Sequence, residues 1–415
     1  ITQHRNSVAT IKEIANLAFA QGNIGKPGAG LCPVRGHSNV QGDRTMGIWE
    51  KVPDHFLDAL RDEFHFEPPR PHGLDTVDAI RALRDGTASV FIGMGGNFVA
   101  ATPDTAVTEK AMGSARLTVQ VSTKLNRSHV VCGETALILP AMGRSEKDVT
   151  GGVVQRVTVE DSMSAVHASH GPLAPASDQL RSEVAIVCGI AEATIPDVGE
   201  IPWGAFRSDY TAIRHAIAHV VPGCAAYAEK VDRPEGFTLP HPPRDSRTFD
   251  TETNRAIFSV SPTDVLHVPD GRLILQTLRS HDQFNTTIYG LDDRYRGISN
   301  GRRVVFVHPD DITALGFSDG QVVDLVSEWE DGSERVAPDF RIVSYDTPRG
   351  CAAAYYPETN VLVPLDATAT GSNSPASKSL IVRLERQSMQ SPPQEGAPVG
   401  SDNGHKSDVE PYHLS

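Results

Sequence analysis

The spacing of apolar residues divides the chain into helical and extended stretches. Ile11, Ile14 and Leu17 recur at helical intervals, which predicts an amphipathic helix over residues 7–21. Further along, the patterns alternate: helices over 75–85 and 103–115, and strands over 88–94, 117–122 and 136–140. This alternation is typical of a doubly wound parallel sheet. Residues 88–94 (ASVFIGM) are apolar throughout and predict a strand buried on both faces.

After residue 258 the pattern changes to short strands. These are predicted over residues 272–278, 303–308, 321–327 and 379–384, with a helical turn over 309–315. They indicate a compact β-barrel. The predicted fold class is therefore α/β, with doubly wound α/β domains followed by a C-terminal β-barrel. The predicted divisions are residues 1–70, 71–250, 255–386 and a disordered tail over 387–415.

Three shorter segments carry weaker patterns. Residues 51–74 are rich in Pro, His and Asp and are interpreted as a connector, and VVQRVTV (153–159) predicts a strand. His167 and His170 lie three residues apart, which is too little for a metal site, so we expect exposed loop histidines. No metal-ligand set is predicted within the chain.

A glycine-rich stretch over residues 23–47 follows neither period. It contains six glycines, two prolines, and polar residues that include Arg35 and His37. Glycine at this density lets the backbone approach a ligand closely, and Arg, His, Asn and Gln supply hydrogen-bonding groups. A long polar surface loop is the alternative interpretation. Apolar flanks on both sides favour a functional loop.

Polar residues also follow two neighbouring strands of the predicted sheet. The first group is GMGGN (93–97) and the second is STKLNRS (122–128). Ligands of doubly wound sheets bind beyond the carboxyl ends of the strands. Either group alone is consistent with an ordinary tight turn. Two successive polar edges favour a polar, nucleotide-like ligand across the crevice.

Two segments interrupt the predicted barrel. TLRSHDQFNTTIYG (277–290) and the segment 355–378 are longer and richer in hydrogen-bond donors than a hairpin requires. Surface hairpin loops are the alternative for each. Together they predict two lips of a polar cofactor cleft.

Charge and cysteine content narrow the function classes. With 38 basic and 52 acidic residues the net charge is −14, which argues against nucleic acid or an anionic membrane as the main partner. No apolar run reaches 18 residues, so no membrane span is predicted. The five cysteines are scattered without a CxxC pair, as is usual for reduced thiols in the cytoplasm. The chain starts at Ile1 without an initiator Met, so we expect missing upstream sequence.

Several sequence motifs in the chain resemble those of a known family. The motifs are Ile1-Thr2-Gln3-His4, QGNIGKPGAGLCPVRGHSNVQGDRTMG, FIGMGGN, VSTKLNRSHVV and LRSHDQFNTTIYG. They resemble the C-terminal portion of molybdopterin oxidoreductases, in the formate dehydrogenase alpha-subunit-like clade. The resemblance implies a bis-molybdopterin guanine dinucleotide cofactor with Mo or W, held by α/β domains and a C-terminal six-stranded β-barrel. It also implies two-electron transfer, a small-molecule substrate such as formate or another small anion, and electron-transfer subunits. A 4Fe–4S cluster and the metal-ligating residue would lie upstream of Ile1.

The resemblance also assigns residues to sites. Arg35 matches the arginine that orients the substrate carboxylate beside the metal in formate dehydrogenases, and His37 stands nearby. Gln3 would lie near a pterin. The guanosine site would contain Gly95, Gly96, Asn97, Ser122, Thr123 and Asn126. The residues facing the pterins and diphosphates would be Arg279, Ser280, His281, Gln283, Asn285, Thr286, Asn360, Asn373 and Lys378.

Two positions depart from the family pattern. His37 stands where well-known formate dehydrogenases carry Gln, and histidine titrates near neutrality. Ser122 stands where many relatives have an acidic residue for guanine. Two other functions stay open: a truncated, non-catalytic cofactor-binding or scaffold fragment, and a plain nucleotide-binding α/β protein without metal.

Overall fold

The computed structural model describes residues 1–263, 265–286, 288–330 and 332–387. Within these ranges the α-helices are α1 (Ser7–Ala20), α2 (Val40–Thr45), α3 (Asp54–Phe64), α4 (Thr76–Arg84), α5 (Phe98–Ala101), α6 (Thr105–Gly113), α7 (Glu183–Thr194), α8 (Trp203–Ser208), α9 (Tyr210–Val220), α10 (Tyr227–Val231), α11 (Pro242–Asp245) and α12 (Pro309–Ala314). Short 3-10 helices lie at Arg127–His129 and Asn360–Leu362. The predicted tail over 387–415 lies, apart from Gln387, outside the described residues.

The strands fall into four groups. They are β1 (Val90–Met94), β2 (Leu117–Ser122), β3 (Thr135–Pro140), β4 (Val149–Thr150), β5 (Val153–Val154), β6 (Val157–Glu160), β7 (Ala165–Ser169), β8 (Phe237–Thr238), β9 (Leu273–Leu278), β10 (Val304–Val307), β11 (Val322–Glu328), β12 (Glu334–Ser344), β13 (Cys351–Tyr355) and β14 (Leu380–Arg386). Strands β1 to β3 form a sheet, β4 and β5 pair, β6 to β8 form a second sheet, and β9 to β14 close a barrel.

The first sheet is parallel, in the order β1-β2-β3. Asp75 begins α4 by accepting a hydrogen bond from the amide of Asp78, as an N-cap residue does. Apolar residues at helical spacing in α4, Val77 and Ile80, are fully buried against α6, where Met112 is also buried. The predicted βαβ pattern is therefore confirmed.

Burial of this sheet on both faces was predicted and is wrong. Val90, Ile92 and Met94 alternate along β1 and are about half exposed, as is Leu137 on β3. The helices α4 and α6 and the partly buried Phe91 form a core on the other face. A short apolar run predicts a strand, but it cannot tell which faces receive a packing partner.

The six-stranded barrel has the order β10-β12-β11-β14-β9-β13 and is closed. Strand β10 pairs in parallel with β12 and antiparallel with β13, and β13 continues in parallel with β9. Its interior contains fully buried side chains such as Leu275, Leu325, Phe340 and Ile342. The four predicted strands and the helical turn at Pro309 are present, so the predicted fold class is confirmed.

Smaller elements differ from the sequence pattern. The predicted connector over 51–74 contains α3, whose Phe56, Leu60 and Phe64 pack against a core formed by α9, α10 and β7. Those apolar residues recur four apart, and the Pro and His content of the segment masked this signal. The strand predicted over 153–159 is interrupted and divides into β5 and β6.

The first helix also differs from expectation in its packing. It spans Ser7–Ala20 as predicted, but its apolar residues Ile11, Ile14 and Leu17 are exposed. Asn16 anchors it by donating to the carbonyl of Ser259 at 2.7 Å and accepting from its amide at 3.1 Å. None of the helices in the described ranges has the length and apolar composition needed to cross a membrane.

A buried ion pair joins the first sheet to the barrel. Asp104 precedes α6, and its Oδ2 accepts from Arg335 Nη2 of β12 at 2.7 Å and from the amide of Leu365 at 3.1 Å. Both charged side chains are largely buried. The amide of Asp104 donates to the carbonyl of Asn360 at 3.2 Å. Main-chain and side-chain bonds at one point therefore fix the barrel against the sheet.

Replacing Asp104 by Asn tests this contact. Asn keeps the side-chain volume and tolerates the left-handed backbone at this position (φ +52°), but it leaves the Arg335 charge buried without a counter-ion. We expect a loss of about 3 kcal/mol in the free energy of unfolding, measured by urea denaturation.

Glu330→Gln is the matched control for this experiment. Glu330 pairs with Arg5 at 3.6 Å, and both side chains are exposed, so the change should be less than about 0.5 kcal/mol. Equal effects of the two substitutions would contradict a special role for Asp104.

Candidate functional site

A cleft of about 760 Å³ lies between the first sheet and the barrel. Asn97 and Asn126 line its α/β side, and Thr286, Tyr289 and Glu358 line its barrel side. A cleft of this size falls within the usual range for small-molecule and cofactor sites. It lies beyond the carboxyl ends of β1 and β2, where a parallel sheet binds ligands.

The two polar edges predicted from the sequence meet here. Asn126 Nδ2 donates to the carbonyl of Gly96 at 2.7 Å, and Ser128 Oγ bonds Asn97 Oδ1 at 3.2 Å. Gly95 and Gly96 both have positive φ near +70°, and no atom of the described residues, apart from their chain neighbours, lies within 4 Å of where a Cβ would stand. The backbone there is open to a closely approaching ligand.

Three buried polar atoms near this edge have no hydrogen-bond partner among the described residues. They are Gln120 Nε2, Ser122 Oγ and His129 Nε2. An unsatisfied buried polar group costs about 1–3 kcal/mol, so folds seldom leave such atoms without a ligand or water. Gln120 and Ser122 lie on β2, and His129 lies in the 3-10 helix that follows it. Thr123, the next residue, is exposed beside them.

On the barrel side, the predicted polar loop is organised by Arg302. This guanidinium donates to Ser280 Oγ and to Gln283 Oε1, each at 2.9 Å, and pairs with Glu358 at 2.7 Å. Gln283 Nε2 in turn donates to the carbonyls of Asn285 and Tyr356 at 2.7 and 2.8 Å. The loop is therefore an ordered hydrogen-bonded structure rather than a loose hairpin.

His281 belongs to a second network in this loop. Its Nδ1 lies 2.9 Å from Asp293 Oδ1, while Arg296 and Tyr355 bond Asp293 Oδ2 at 2.6 and 2.9 Å. Burial by itself would raise the pKa of Asp293, but these hydrogen bonds and the Arg296 charge outweigh it and lower the pKa to about 2. Asp293 is therefore ionised at neutral pH and fixes the orientation of the His281 ring.

The glycine-rich loop reaches the barrel loop through His37. His37 Nε2 lies 3.1 Å from Asn285 Nδ2, and Tyr356 OH donates to Asn285 Oδ1 at 3.0 Å. The Arg279 guanidinium stacks over the Tyr356 ring at 5.7 Å. Segments about 250 residues apart in sequence thus meet at one place.

Arg35 lies in a second, smaller cavity of about 230 Å³ beside this contact. Its Nη2 donates to Gln41 Oε1 at 2.6 Å. Helix α2, which the loop pattern did not predict, presents Gln41. Gly42 of α2 is buried, and a Cβ there would meet Asn39 Oδ1 at 2.1 Å, so a larger residue would displace the Asn39 side chain from its bond with the Glu160 amide.

The remaining predicted residues divide into two groups. The carbonyl of Gln3 accepts from the amide of Lys378 at 3.1 Å, and Lys378 Nζ bonds Thr277, so these two residues lie together at the barrel mouth. Burial and the Arg279 charge lower the pKa of Lys378.

Asn360 and Asn373 have structural partners instead. Asn360 Nδ2 donates to the carbonyl of Ala100 at 2.6 Å, and Asn373 Nδ2 bonds the Asp75 carboxylate at 2.9 Å. Both amides connect the barrel to the α/β region, and whether either also meets a cofactor stays a prediction.

Sequence reasoning missed several residues at the site. Arg302 and Arg303 are adjacent and precede β10, and the sequence does not indicate which of the two is buried. Tyr289 and Tyr356 contribute aromatic surface, and Glu160 lines the smaller cavity. A buried carboxylate at a strand end gives no periodic signal, so only its spatial neighbours reveal it.

The barrel sequence matches a known family. Residues 273–381 match the family described as "Molydopterin dinucleotide binding domain". The barrel therefore resembles a molybdopterin dinucleotide-binding domain. The polar loops of the barrel, together with the open glycines and the unpartnered buried atoms of the first sheet, fit a cofactor of this polar kind.

Similar proteins extend the match to most of the chain. A Mycobacterium tuberculosis protein named "uncharacterized oxidoreductase" is 63% identical over 389 residues, covering 93% of this chain and 50% of that protein. Protein YdeP of Escherichia coli is 41% identical over 391 residues, covering 93% and 51%. The F420-dependent formate dehydrogenase subunit alpha of Methanocaldococcus jannaschii is 32% identical over 158 residues, covering 36% and 23%. The resemblance to molybdopterin oxidoreductases is confirmed.

A solved structure shares the fold. The acetylene hydratase of Pelobacter acetylenicus superposes with a TM-score of 0.51 at 12% identity, covering 83% of this chain and 50% of the hydratase. The chain spans about half the length of the curated relatives it matches.

Adjacent arginines allow a paired test of the barrel loop. Arg302 has a side chain only 4% exposed, and Arg302→Met would leave Ser280, Gln283 and the Glu358 charge without their donor. We expect a loss of about 3 kcal/mol in unfolding free energy and faster protease cleavage within residues 279–290.

Arg303→Met is the control, because the Arg303 side chain is 53% exposed. Its unfolding free energy should stay within about 0.5 kcal/mol of the original chain. The network assigned to Arg302 is excluded if both variants behave alike in denaturation and proteolysis.

Proposed function

We propose that this chain is the C-terminal portion of a molybdopterin-dependent oxidoreductase similar to formate dehydrogenases. The enzyme would transfer two electrons at Mo or W held by bis-molybdopterin guanine dinucleotide. The observation that carries the proposal is the His37–Asn285 contact, because it brings the substrate-side loop and the barrel's polar loop to one place.

The chain's own residues would hold the cofactor at both sides of the cleft. Ser122 and Asn126 at the sheet edge suit a guanosine end, since an unpartnered hydroxyl and an amide can meet its polar edges. Ser280, Gln283 and Thr286, all buried on the ordered barrel loop, suit the diphosphate and pterin. When bound, the cofactor supplies the electron-transfer chemistry, and the protein supplies position and electrostatics.

Arg35 is the proposed substrate-binding residue. Its guanidinium is hydrogen-bonded to a neutral amide, and no salt bridge joins it to a carboxylate within the described ranges. A planar guanidinium can bind a carboxylate through two parallel hydrogen bonds. His37 lies two residues away and would share this site, and a small anion such as formate fits the 230 Å³ cavity.

The wider enzyme context is part of the same proposal. Electrons would leave through iron–sulfur centres to electron-transfer subunits, in the cytoplasm. The alternative is a non-catalytic cofactor-binding or scaffold fragment that lacks the metal-ligating residue. Cofactor retention without turnover would support that alternative.

Metal and cofactor content is the first test. The full-length protein, produced in a host that makes molybdopterin guanine dinucleotide, should contain about one Mo or W per chain by inductively coupled plasma mass spectrometry. It should also release two guanine nucleotides per metal on acid hydrolysis. Protein free of both metals would exclude the oxidoreductase function.

Substrate assignment is tested by formate-dependent dye reduction. Arg35→Ala should lower kcat/KM for formate roughly a hundredfold, because truncating one partner of a close charge pair costs several kcal/mol. Arg44→Ala is the control, since Arg44 lies in the same loop but pairs with Glu50 at 3.5 Å. Equal activity of Arg35→Ala and the original enzyme would remove Arg35 from the substrate site.

A further inference from the structure

The smaller cavity contains a carboxylate that the proposed function does not use. Glu160 is the last residue of β6 and lines the cavity with Arg35, His37 and His167. Only 4% of Glu160 is exposed. A carboxylate so deeply placed beside an arginine would ordinarily form an ion pair, yet no salt bridge joins the two within the described residues.

The backbone holds Glu160 in a fixed position. Its amide donates to Asn39 Oδ1 at 2.9 Å, which ties β6 to the loop that carries Arg35. Glu160 also pairs with Val166 of β7, and Val166 is fully buried. Side-chain placement at this strand end is therefore set by both neighbours.

One oxygen of this carboxylate is unsatisfied. Oε2 of Glu160 is buried and has no hydrogen-bond partner within the described part of the chain. A buried carboxylate with an unpaired oxygen is costly, and a proton or a ligand removes that cost. The structure thus contains an unused hydrogen-bonding position on a residue that lines the same cavity as Arg35.

The electrostatic surroundings favour a proton on Glu160. Burial is the largest influence and raises the pKa of Glu160, and the Asp161 charge adds to it. The hydroxyls of Thr45 and Ser164 and the Arg35 charge oppose this rise without cancelling it.

Other titratable groups surround Glu160, among them Asp161, which lines the cavity and whose carboxylate accepts from the amides of Met163 and Ala165. Behind Glu160, burial raises the pKa of Cys224 to about 11 and also raises that of Tyr227, so both carry protons at neutral pH. On α2, Asp43 contacts Asn39, and Arg44 pairs with Glu50. His37 and His167 line the cavity itself.

We propose that Glu160 is a substrate-binding residue that, in its protonated form, donates a hydrogen bond from Oε2 to a small carboxylate held by Arg35. An ionised Glu160 would instead repel the same anion. The inference rests on the proposed function, because it takes the Arg35 cavity to be the anion site. It adds a neutral acid as a selectivity element, which favours a monocarboxylate over larger or doubly charged anions.

Proton uptake on binding follows from this assignment. An anion that binds only when Glu160 is protonated binds most tightly below the pKa of Glu160 and loses about tenfold in affinity per pH unit above it. Glu160→Gln places a permanent neutral donor at nearly the same position. That variant should bind formate with an affinity that no longer depends on Glu160 titration.

Isothermal titration calorimetry with sodium formate tests the proposal without turnover. Titrations of the full-length protein in buffers with different ionisation enthalpies give the number of protons taken up. We expect the proton uptake per formate in the original protein to rise towards one as the pH is raised above the pKa of Glu160 in the free protein. Glu160→Gln should take up none. Glu330→Gln is the control and should behave like the original protein, because Glu330 pairs with Arg5 and does not line this cavity.

The outcomes separate the two proposals. Loss of formate binding in Arg35→Ala with unchanged proton uptake in Glu160→Gln would overturn only the role of Glu160. Unchanged binding in Arg35→Ala would overturn the anion site itself. If Glu160→Gln does not fold, the pH dependence of formate affinity in the original protein still decides, since an affinity that does not fall as the pH rises contradicts a protonated donor.

Discussion

The buried pair of Asp104 and Arg335 is the constraint on which the arrangement of the site depends. Removing two charges from water is costly, and the fold repays the cost only because the amide of Leu365 also bonds the carboxylate. Such a pair tolerates little displacement. It therefore fixes the barrel relative to the sheet, and the cleft between them has a defined width because this contact has a defined geometry.

The barrel mouth shows the same principle on a smaller scale. Arg302 is buried where an apolar residue would ordinarily extend the core, and it is stabilised by Glu358 and by the polar atoms of Ser280 and Gln283. Every bond that satisfies the guanidinium also orders a residue of the loop. The buried cation thereby holds the polar loop in one conformation. A preorganised binding site requires such a fixed loop.

The smaller cavity depends on a different balance. Its β-strand end and glycine-rich loop are joined by Asn39, whose left-handed backbone and bond to the Glu160 amide place Glu160 near Arg35. The loop can fold this tightly because Gly42 lacks a Cβ. Burial disfavours the charge on Glu160 and raises its pKa, while the Arg35 side chain at the other side of the cavity is exposed.

The sequence by itself determined the alternation of helices and strands, the barrel and the family resemblance, because periodicity and local phrases encode these directly. It also identified the polar loops, since glycine and amide residues are rare at such density elsewhere in the chain. It failed where the outcome depends on distant neighbours: the exposed face of β1, the helix α3, the burial of Arg302 rather than Arg303, and the orphaned oxygen of Glu160. Burial and hydrogen-bond satisfaction are properties of a residue's surroundings, and only the tertiary structure brings those surroundings together.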